Sequence, residues 1–138
     1  MNKPNNKLPA IQAPLGALVF FAFARIAFSQ DAITIEKIER KEPVHFKKEI
    51  LPILRSNCVA CHSSSKDRGD VNLESVEAIL NSGEDDPILI PGKSAESILL
   101  KSAAHQAKPI MPPKKNKVGA KPLSPRELGL LALWIDQG

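Results

Sequence analysis

The chain has 138 residues, a formal net charge of +4, 43% hydrophobic residues and only 4% aromatic ones, with no tyrosine. That suffices for one small domain with a thin core, and 12 prolines against 7 glycines predict short elements joined by loops. Both cysteines fall in one pentapeptide, which excludes a separate disulfide framework.

Residues 1–29 read as a secretory signal peptide. Lys3 and Lys7 form its positive start, and Leu15 to Ala24 is its apolar stretch. Ala27-Phe28-Ser29 then puts small residues at the two positions a signal peptidase reads, which predicts cleavage after Ser29. An uncleaved anchor is the competing reading. A span needs ~20 apolar residues, and Arg25 interrupts the run, so no stable membrane span is expected after cleavage. The segment holds three of the 19 basic residues and no acid, leaving 16 basic against 15 acidic. The basic character thus belongs largely to the leader, and nucleic-acid binding is not expected.

Residues 30–43 are charged and aperiodic and read as a linker. Val44 to Asn57 reads as a first helix, with Phe46, Ile50, Ile53 and Leu54 on one buried face. Pro52 should kink it, since it removes a backbone donor. A polar loop follows His62, and Ser75 caps a short helix through Asn81, with Val76, Ile79 and Leu80 apolar and Gly83 closing it. Ser94 caps a third helix running to about His105, with Ile98, Leu99, Ser102 and Ala103 inward. Residues 106–123 form a long proline-rich loop. Ser124-Pro125-Arg126-Glu127 opens the last helix as a capping box, and Leu128, Leu131, Ala132 and Ile135 give it an apolar stripe widened by Trp134. No stretch alternates as a strand should, so the expected fold is all-α with about four short helices.

Cys58-Val59-Ala60-Cys61-His62 is the CxxCH signature of c-type haem attachment. Thiols three positions apart share one face of a helical turn and can add across the two vinyl groups on one haem edge. The histidine that follows is then placed to bind the iron as proximal ligand. Such attachment normally happens outside the cytoplasm, so leader and pentapeptide agree on a periplasmic or otherwise extracytoplasmic location. Electron carriers usually close the sixth iron position. Met111, the only methionine beyond the leader, lies in the long loop before Pro112 and Pro113 and is the leading distal ligand. His105 is the rival, with helix capping as its plainer role. His45 reads as a surface or packing residue.

These features resemble the planctomycete-type cytochrome c domain, within the class I cytochrome c group. The resemblance rests on Phe46 with Ile50-Leu51-Pro52-Ile53-Leu54, the pentapeptide, Pro91-Gly92 followed by Ser97-Ile98-Leu99-Leu100, Met111-Pro112-Pro113, and Leu123-Ser124 leading to Trp134-Ile135-Asp136-Gln137-Gly138. It covers residues 44–138. It implies a small all-α fold around one covalent haem c, first and last helices packed together, haem on Cys58 and Cys61, and His62 and Met111 as axial ligands. Such domains often precede larger regions, so a free-standing carrier and a piece of a longer protein both fit.

The expected function is one-electron transfer, not enzymatic turnover. Lys108, Lys114, Lys115, Lys117 and Lys121 surround Met111 and would steer an acidic redox partner. The alternative is a haem-based sensor or ligand-binding module with an open or weakly held sixth position; peroxidase-like activity would need the same opening. A thiol redox pair lacks a βαβ context, and a zinc site lacks further regularly spaced ligands.

Overall fold

The computed structural model describes residues 32–83 and 86–138, so the leader expected at 1–29 lies outside the described residues. Four helices carry the fold: α1 (Leu51–Asn57), α2 (Val76–Leu80), α3 (Ile98–Ala103) and α4 (Pro125–Asp136). The only strands among the described residues are β1 (His62–Ser63) and β2 (Lys66–Asp67), an antiparallel pair with His62 opposite Asp67. The fold is therefore mostly helical with almost no strand. No helix among the described residues is long and apolar enough to cross a membrane.

Helix α4 organises the core. Its start is set locally: Ser124 Oγ accepts from the Glu127 N–H, the Glu127 carboxylate accepts from the Ser124 N–H, and Pro125 fills the first turn, where no backbone donor is needed. Leu128, Leu131 and Ile135 are buried along its inner face. The first and last helical segments meet through Phe46 and Trp134, whose ring centroids lie 5.3 Å apart at 41°. Helix α3 also packs on α4.

The first helix differs from expectation. A π-helical turn over Phe46–Ile50 precedes α1, with the Leu51 N–H donating to the Phe46 carbonyl. Pro52 explains the arrangement. It has no N–H for an i→i−4 bond, and the wider turn puts it in the first turn of a new α-segment, where none is required. Ile50 and Leu54 still reach the core.

Helix α3 starts later than expected, at Ile98 with Ser97 as its N-cap. Ser94 is committed elsewhere: its N–H and hydroxyl both donate to the Asp136 carboxylate on α4, at 2.8 and 2.9 Å. The helix ends at Ala103, and His105 follows in the left-handed region at φ 58°. Helix α2 is capped by Ser75 as expected, but of its apolar residues only Ile79 is buried; Val76 and Leu80 remain exposed.

Residues 32–43 lie against the body of the domain. The Ile33 N–H donates to the Ala104 carbonyl at 2.8 Å and the Glu36 N–H to the Pro125 carbonyl at 2.9 Å. Gly129 makes this approach possible, because a Cβ there would collide with the Glu36 carbonyl. Residues 106–123 contain neither helix nor strand.

Candidate functional site

Helix α1 delivers the pentapeptide. Its last turn continues through Cys58, whose N–H donates to the Leu54 carbonyl at 2.7 Å. The chain then closes one further turn, with the Cys61 and His62 N–H groups both donating to the Cys58 carbonyl, at 3.0 and 3.1 Å. His62 begins the small hairpin, and its carbonyl accepts from Leu73 at 3.0 Å.

Cys58, Cys61 and His62 line one cavity of about 290 Å³, and Met111 lines it too. Leu73, Ile88, Ile98, Leu99, Ala103 and Leu123 make its walls largely apolar. All four residues of the predicted face of α3, Ile98, Leu99, Ser102 and Ala103, border the cavity, while Leu100 fills the core. His105, the rival distal ligand, is buried but does not line the cavity. His45 is exposed and its N–H donates to Glu49. The five lysines at 108, 114, 115, 117 and 121 are all exposed. They alternate with Pro113, Asn116, Val118 and Ala120, which line the cavity, so the basic loop forms part of its rim.

The electrostatics favour neutral donors. Burial pushes the Cys58 thiol up to about 11, with Cys61 and Glu127 pushing the same way. Burial holds the His62 imidazole below its ordinary value, with the nearby backbone at Arg68 and Val71 pulling the other way. His62 Nδ1 is buried with no hydrogen-bond partner among the described residues. A buried ring nitrogen left unengaged is costly unless something else occupies it. No group of three or more His, Cys, Asp or Glu side chains among the described residues is arranged to hold a metal ion. The donor set fits a covalently attached haem: two thiols on one turn, an imidazole with a spare nitrogen, a thioether on the same cavity and apolar walls around them.

Three polar lining residues escape the sequence reading: Asn57, Arg68 and Asn116. Asn57 precedes Cys58 directly, which is the one local signal for it. Arg68 is exposed, follows β2 and forms no ion pair with a described residue.

No curated protein and no solved structure matches the chain. Residues 58–115 match the family described as planctomycete cytochrome C, and they include the pentapeptide and Met111. The family expected from the sequence is thus the one that matches, over residues 58–115.

Proposed function

We propose that the chain is an extracytoplasmic electron-transfer protein with one haem c attached through Cys58 and Cys61 and with His62 and Met111 as axial ligands of the iron. One observation carries this reading: Cys58, Cys61, His62 and Met111, drawn from two distant stretches of chain, line a single cavity. When bound, the haem supplies the one-electron couple between ferric and ferrous iron.

The residues of the chain supply the rest. The two half-buried thiols would hold the cofactor edge. Burial favours the neutral form of the His62 imidazole, the form that binds a metal. The soft thioether of Met111 favours reduced iron, raising the potential relative to two histidines, and closes the position that small molecules would enter. Ile98, Leu99 and Leu123 exclude water from the same space. Arg68 is the one cationic side chain lining the cavity and offers its charge to the acidic edge of the cofactor. The lysine rim gives an acidic partner protein a place to dock near the electron's exit.

The test is co-expression with a haem-maturation system, followed by mass and the reduced visible spectrum. A mass increased by one haem with a low-spin spectrum is expected. A chain that takes up no haem overturns the reading, and a high-spin spectrum replaces the carrier with a sensor. Met111→Ala should lower the potential and open the iron; an unchanged spectrum would remove Met111 as ligand.

A further inference from the structure

Met111 sits in a loop with no helix or strand to hold it, yet a closed sixth position needs the thioether kept in place. The first restraint is at Met111 itself, whose N–H donates to the Ser102 carbonyl of α3 at 3.1 Å. The two prolines that follow provide no donors, and two asparagines take over. Asn116 Nδ2 donates to the Pro113 carbonyl and to the Ala120 carbonyl, both at 3.0 Å, and Asn116 Oδ1 accepts from the Ala120 N–H at 2.8 Å. One side chain thereby closes residues 113–120 into a ring. Asn57 Oδ1 then accepts from the Lys121 N–H at 3.1 Å. Asn57 is the last residue of α1 and stands directly before Cys58. The far end of the methionine loop is therefore fastened to the turn that carries the thiols. Both asparagines line the cavity.

We propose that Asn57 and Asn116 are positioning residues that hold Met111 over the iron and so decide whether the sixth position stays closed. This rests on the reading of Met111 as distal ligand. Asn116 gives the loop its shape, and Asn57 sets its distance from the cysteine turn. Neither touches the iron. Their effect passes through the backbone of residues 112–121, which a side chain with two donors and an acceptor can tie where prolines interrupt the backbone's own bonding.

The experiment uses the full haem-loaded chain and carbon monoxide as probe of the ferrous iron, together with the midpoint potential. Wild type should bind carbon monoxide slowly and Met111→Ala fast. Asn116→Ala should bind at least ~10-fold faster than wild type and show a lower potential, with covalent haem intact by mass. Asn116→Asp keeps the acceptor and loses both donations, and should fall between them. Asn57→Ala moves in the same direction and serves if Asn116→Ala does not fold. Gln106→Ala, exposed at the start of the same loop and outside the cavity lining, should match wild type. Asn116→Asp and Asn57→Ala both at wild-type rate and potential would overturn the positioning role while leaving Met111 as ligand. A wild type as fast as Met111→Ala would overturn the ligand reading and this proposal with it.

Discussion

Asp136, at the end of α4, holds Ser94 by two hydrogen bonds, from the backbone N–H at 2.8 Å and from the hydroxyl at 2.9 Å. A third bond, from the Gly92 N–H to the Ile135 carbonyl at 2.7 Å, runs beside them. The turn that leads into α3 is thus clamped to the last helix, and α3 carries Ile98 and Leu99 to the cavity. Hydrogen bonds to a charged acceptor contribute about 1.5–3 kcal/mol each when lost singly. Asp136→Ala should therefore lower stability by about 2–4 kcal/mol, since the partners of one group do not add fully, as read from urea unfolding of the haem-loaded chain. A loss below about 0.5 kcal/mol would show that the clamp is incidental.

Gly129 makes the second prediction. A methyl group there meets the Glu36 carbonyl, which is backbone and cannot swing aside. Gly129→Ala should push residues 32–43 off α4, at a cost of about 1–3 kcal/mol typical of overpacking. Faster proteolysis between Glu36 and Lys41 is the expected sign, and an unchanged cleavage pattern would show that the contact yields without consequence.

The third prediction concerns pH. Arg40 forks onto Glu49 with Nη1–Oε1 at 2.7 Å and Nη2–Oε2 at 2.9 Å, and the His45 N–H donates to the same carboxylate at 2.8 Å. The Arg40 hydrogen bonds first, then that from His45, bring the Glu49 carboxyl from 4.5 to about 2. A carboxyl depressed in the folded state adds stability above its ordinary value and loses it as the proton binds. Stability should therefore fall as pH drops from 4.5 towards about 2. Glu49→Gln should be less stable than wild type at pH 6 and nearly equal to it at the acid end. A constant gap across that range would contradict the assignment.

The lysine rim carries the fourth. Converting Lys114, Lys115 and Lys117 to Gln should slow electron transfer to an acidic partner by about tenfold at low salt, because the summed field steers encounter. At an ionic strength where the Debye length shrinks to ~3 Å, the variant and wild type should converge. Stopped-flow rates across a salt series decide it; equal slopes would leave the lysines as ordinary solvated charge.

How far the chain could be read follows from where each signal lies. The start of α4 was legible because its capping box is complete within Ser124–Glu127. The start of α3 was not, because the partner that diverts Ser94 is 42 residues away. Pro52 was legible as a disturbance, but not the answer to it, a widened turn over Phe46–Ile50 that puts the proline in the first turn of α1. On α2 the sequence shows Val76, Ile79 and Leu80 as apolar without saying which are covered, since spacing does not reveal how many neighbours a short helix has; Ile79 is buried and the other two are exposed. At the site, Cys58, Cys61 and His62 are contiguous, and Met111 stood out as a lone methionine between loop residues. Asn57 and Asn116 could not stand out, because their partners are backbone groups whose positions exist only after folding.

The contact between Phe46 and Trp134 has a practical side. Trp134 is the only tryptophan and there is no tyrosine, so the ultraviolet emission of the chain comes essentially from one ring. That ring sits where the first helical segment docks on the last. Its emission is thus a built-in optical gauge: a haem held in the cavity would drain it by energy transfer, and unfolding that carries the ring away from the haem would bring the light back.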